Sequence, residues 1–118
     1  MNITIKFEVN HELLAQVLEV RPEVLAFALQ MERKLKDNDH KGKTGWKDGS
    51  PFSTRESLMN KLWEEYIELR DACCEQRYAT SELSKITPAE ANKNVMDEAA
   101  DLANICMMLA DNYGGGLV

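Results

Sequence analysis

The chain has 118 residues, 29% of them charged and 44% hydrophobic, with 14 basic residues against 20 acidic for a formal net charge of -6. That is the composition of one modest globular domain, not of a disordered segment. The acidic balance argues against a general role on duplex nucleic acid, which needs a basic face, but not against one anionic nucleotide, because bound metal ions reverse the local sign.

The first ten residues alternate. Met1, Ile3, Ile5, Phe7 and Val9 are apolar, while Asn2, Thr4, Lys6, Glu8 and Asn10 are polar, which is the period of a strand. Such a strand needs a partner, and its copy in another subunit is one candidate. Alternation is not the apolar run of a secretory leader, and no stretch is long enough to span a bilayer, so a cytoplasmic protein without a membrane partner is expected. A short helix is predicted from about His11 with Asn10 as its N-cap. Pro22 suits the first turn of a second helix, predicted over 22–37 and carrying Val24, Leu25, Phe27, Ala28, Met31 and Leu35.

Residues 37–52 (DNDHKGKTGWKDGSPF) break the pattern and read as a basic loop. Gly42-Lys43-Thr44 has the look of the end of a P-loop, but Asp37 stands where that motif needs its first glycine. His40, Lys41, Lys43 and Lys47 could meet phosphate oxygens while Trp46 stacks on a base; the competing reading is a surface loop pinned by one packed Trp. Two long helices follow, predicted over 53–79 and 88–113. Each opens with a capping box, Ser53 with Glu56 and Thr87 with Glu90, and Pro88 takes the first position of the second. Gly114 to Gly116 end it. The expectation is a single mainly α domain over 1–118, a helical bundle with the strand and short helix of 1–20 appended. Cys73, Cys74 and Cys106 fall at no metal-ligand spacing, and Met96, Met107 and Met108 read as core filler.

The first long helix contains Glu64-Glu65-Tyr66-Ile67-Glu68, whose three glutamates share about a 100° arc. Its apolar stripe comprises Leu58, Met59, Leu62, Tyr66, Leu69 and Cys73, with Glu65 at the edge. By itself this cluster reads more readily as a solvated face with pairs such as Lys61 to Glu65. The second long helix changes the balance. From Ala99 to Ala110 it is apolar nearly all round, yet Glu98 and Asp101 sit on it and no Lys or Arg follows Lys93. Buried carboxylates are costly unless paired or metal-bound, so these two call for a cation. Oxygen ligands without His or Cys favour Mg²⁺ or Mn²⁺ over zinc, and Mg²⁺ accepts substrate phosphates. A di-iron bundle needs Glu-x-x-His repeats, and neither His11 nor His40 provides one. Asn104, one turn beyond Asp101, could bond a nucleotide or a neighbouring helix.

With Glu64-Glu65-x-x-Glu68 followed by Glu98-x-x-Asp101, the chain resembles the MazG-like branch of the all-α NTP pyrophosphohydrolases. The segments DNDHKGKTGW, LWEEYIEL and DEAADLANICMMLADN look like those of short phage and bacterial MazG-like proteins, and the resemblance covers roughly residues 25–113. It implies hydrolysis of a nucleoside triphosphate to monophosphate and pyrophosphate, in a bundle completed by a second subunit as a homodimer or homotetramer. It also implies Glu65, Glu68, Glu98 and Asp101 as metal ligands. Glu64 and Glu65 would be the catalytic positions, with Glu64 holding a second metal or positioning the attacking water. Lys41, Trp46, Lys47 and Asn104 are the expected substrate contacts. The alternative is a non-catalytic helical oligomerisation module with a vestigial nucleotide site.

Overall fold

A computed structural model of the chain describes residues 10–40, 45–47 and 51–118. Four helices make up its framework: α1 (His11–Leu18), α2 (Pro22–His40), α3 (Arg55–Arg77) and α4 (Pro88–Tyr113). The strand expected within 1–10 lies outside the described residues except for Asn10. That residue caps α1, its side-chain oxygen accepting from the Leu13 amide at 3.1 Å. Glu19 closes α1 in the left-handed region at φ 57, a conformation that favours glycine. Among the described residues no helix is long and apolar enough to cross a membrane.

The helices begin where side chains can replace missing backbone partners. Thr87 Oγ1 accepts from the Glu90 amide at 3.1 Å and donates to the Glu90 carboxylate at 3.1 Å, with Pro88 entering the first turn. The cap of α3 lies one residue later than expected. Thr54, not Ser53, accepts from the Ser57 amide at 3.1 Å, because Pro51–Ser53 form a turn of 3-10 helix ahead of it. α2 runs on to His40, since no helix breaker occurs before Gly42.

α4 is the central element, packed on both α3 and α2, while α1 rests on α2. α3 and α4 run antiparallel: Gln76 donates to Asn92 at 2.8 Å near one end, and Tyr113 donates to the Ser53 carbonyl at 3.0 Å near the other. Ala72, Ala91 and Ala100 are buried along these helices, so small side chains allow close approach. The buried line of α3 is Leu58 and Ala72, with half-buried Leu62, Glu65 and Leu69 between them. Glu65 therefore lies within the buried line and not at its edge. Met59, Tyr66 and Cys73, expected on that stripe, are exposed, as is Met96 on α4.

Candidate metal centre

The buried line of α3 meets α4 where Glu65 faces Glu98 and Asp101. One carboxylate oxygen from each of these three residues lies within 4.8 Å of the others. The spacing follows from helix geometry, since Glu98 and Asp101 are three residues apart and emerge on one face. Glu68, one turn on from Glu65, lies close enough to Glu65 and Glu98 for its carboxylate to raise the pKa of both. Burial, and next the contact with Glu68, push the Glu65 carboxyl up to about 7. The same two causes raise Glu98. Asp101 is raised by burial, with the Lys34 ammonium opposing the rise.

Two atoms in this group have no partner. Glu65 Oε2 and Glu98 Oε2 are buried and unbonded, a condition that costs on the order of 1–3 kcal/mol per polar group and more for a charged one. The donor set is all carboxylate oxygen, which suits a hard divalent cation such as Mg²⁺ or Mn²⁺ and not a thiophilic metal. The residues present therefore fit such an ion.

The cluster is not free of basic side chains. No Lys or Arg follows Lys93 in α4, but α2 brings Lys34, whose Nζ lies 3.4 Å from Asp101 Oδ2. Lys61 stands 3.9 Å from Glu65 on α3 and is half exposed. Just outside the group, Asp97 accepts from Arg33 at 2.8 Å and from Lys93 at 2.6 Å. Burial opposes ionisation of Asp97, yet Lys93, Lys34 and Arg33 together hold it below the usual carboxylate range. Lys34 was legible as an anomaly: it shares the helical face of Phe27, Met31 and Leu35, an unusual place for a lysine.

The other expected site residues part company here. Glu64 is exposed and stands outside the three-carboxylate group. Asn104 is 3% exposed, and its amide nitrogen donates to the Met31 carbonyl at 3.0 Å, so it joins α4 to α2. Trp46 is held at the end of α4: its indole donates to Asp111 at 3.1 Å, and Asn112 donates to its carbonyl at 2.8 Å. Lys47 pairs with the same Asp111 at 3.3 Å. Asp111 also accepts from the Leu117 amide at 3.0 Å, and that bond, then Trp46, keeps its carboxyl below the ordinary range. Ten residues separate Asp111 from Asp101, about 15 Å along the helix. Within one chain, then, Trp46 and Lys47 are not brought to the carboxylates; Lys41 lies outside the described residues.

An open groove of about 410 Å³ begins beside the cluster, lined by Glu68, Asp71, Ala72, Glu75, Asn94 and Glu98. Four of these six residues are acidic, so a polyphosphate entering it needs cations to offset the repulsion. No family model, curated protein or solved structure matches the chain.

Proposed function

We propose that the chain is a Mg²⁺-dependent hydrolase that splits a nucleoside or deoxynucleoside triphosphate into the monophosphate and pyrophosphate. The observation that carries this reading is the grouping of Glu65, Glu98 and Asp101 from two helices, in which Glu65 Oε2 and Glu98 Oε2 are buried without a partner. Glu65, Glu98 and Asp101 would hold the ion, with Glu68 the adjoining fourth carboxylate; Mn²⁺ suits the same donors. When bound, such an ion supplies positive charge for phosphate oxygens and lowers the pKa of a water molecule.

The chain's own residues account for the rest. Glu68 adjoins Glu65 and Glu98, and the crowding of negative charge that raises those two carboxyls is what a bound cation would offset. Asp71 and Glu75 line the groove and reject a bare polyphosphate in favour of its cation complex. Glu64, exposed on the next face of α3, is free to reach a water or a second cation outside the buried group. In this proposal the protein works as a homodimer or homotetramer. Support comes from exposed Met59, Trp63 and Tyr66, which line one face of α3 and include a stacked Trp63–Tyr66 pair with ring centroids 5.6 Å apart.

That same apolar stripe favours a second reading, a helical oligomerisation module without chemistry. A nucleotide panel incubated with and without Mg²⁺ separates the two. The hydrolase releases pyrophosphate and monophosphate in equal amounts and melts at a higher temperature with the ion. Absence of turnover together with an unchanged melt would leave only the module.

A further inference from the structure

The carboxylate group sits beside a lysine that the proposed reaction has not used. Lys34 belongs to α2, which packs on α4, and its ammonium lies 3.4 Å from Asp101 Oδ2. Both side chains are only 22% exposed, so water screens this pair less than a surface pair. The neighbouring cations are otherwise engaged: Arg33 and Lys93 pair with Asp97, and Lys61 reaches Glu65 from solvent at 3.9 Å. Among the described residues Lys34 is thus the most sheltered positive charge on the cluster. It neutralises only part of it, since Glu65 Oε2 and Glu98 Oε2 remain without partners.

We infer that Lys34 is a resident counter-cation of the metal centre: it holds the carboxylates together without an ion, and a divalent ion must displace it to reach Asp101. The inference rests on the metal-centre reading above and adds to it a control on ion affinity. An ammonium and a divalent ion compete for one carboxylate oxygen and repel each other at such short range. The lysine therefore weakens ion binding while limiting repulsion among Glu65, Glu68, Glu98 and Asp101 in the ion-free chain. Its four-carbon stem lets the charge swing away without moving α2.

The test is calorimetric titration of the full chain with Mn²⁺ and with Mg²⁺, without nucleotide, alongside ion-free thermal melts. Lys34→Met keeps the stem and removes the charge. It should bind either ion tighter by on the order of fivefold or more and melt several degrees lower without one. Lys34→Arg keeps the charge and should bind as the parent chain does. If Lys34→Met fails to fold, Lys34→Gln is titrated in its place with the same expectation. Unchanged or weaker ion binding in the charge-removing variant overturns the role of Lys34 while leaving the metal centre standing. A parent chain that takes up neither ion overturns both.

Discussion

Glu98 and Asp101 carry the sharpest expectations, because their amide analogues keep shape and remove charge. Glu98→Gln and Asp101→Asn should each lower the rate of triphosphate hydrolysis by about a hundredfold or more, as loss of a charge-stabilising group does. Glu98→Gln should also melt at or above the parent temperature without ion, since one member of a repelling set is gone, whereas Asp101→Asn also strips Lys34 of its ion-pair partner. Full activity with an unaltered Mg²⁺ response in both variants would remove these residues from the site. The raised Glu65 pKa sets a pH dependence. Its folded pKa is about 7 against an ordinary 4.5, so between those values the folded chain binds more protons than the unfolded one. Ion-free stability therefore falls as pH rises from 4.5 through 7, and melts at pH 5 and pH 8 should differ by several degrees in favour of pH 5, with Glu65→Gln flattening that slope. That Glu98 and Asp101 share one face was legible from their i, i+3 spacing, whereas their meeting with Glu65 was implied by the resemblance and not by any local pattern. Lys34 was not linked to them, because contact between α2 and α4 depends on packing across 67 positions of chain and not on any local pattern.

At the scale of elements, helix starts were legible because Asn10, Thr87 and Pro88 act through bonds or φ angles within one turn. Ser53 failed by one position because its neighbour Thr54 offers the same chemistry and the preceding turn decided between them. Trp46 shows a different limit. Its anchoring at Asp111 joins segments 65 residues apart, and neither residue belongs to a motif that signals the other. The end of α1 yields a prediction. Glu19 occupies the left-handed region, which costs a non-glycine residue about 1–2 kcal/mol, against about 0.5–1 kcal/mol of extra unfolded-state entropy for glycine. Glu19→Gly should therefore stabilise the chain by up to about 1 kcal/mol, read as an upward shift of the denaturant midpoint. A downward shift would mean that the Glu19 side chain supplies more than its backbone loses. Asn104→Leu tests the tie between α4 and α2: it strips the Met31 carbonyl of its donor at a buried position and should cost about 1–3 kcal/mol.

For the molecule as a whole, the distribution of apolar surface matters more than its amount. Among the described residues no large side chain is fully buried, while Leu13, Val17, Val24, Met59, Trp63 and Tyr66 are exposed. Bundles hide such residues either inside or against another copy. Sedimentation at micromolar concentration should show a dimer or tetramer of the 13.4 kDa chain. Trp63→Lys, placing a charge at a side chain 63% exposed, should shift the population toward monomer with helix content retained. A parent chain that sediments only as a monomer would refute the expected assembly.

The position of Glu65 in the buried line of α3 sets two selective pressures against each other. A helix packing on α4 would be better served there by leucine, the residue found one turn to either side at Leu62 and Leu69. Laboratory evolution toward heat resistance alone, in a chelating buffer, should accumulate apolar residues at position 65 and amides at 98 and 101, and the survivors should be the least able to respond to Mg²⁺. A carboxylate kept at position 65 under such conditions would mean that the bundle needs it for a reason other than an ion.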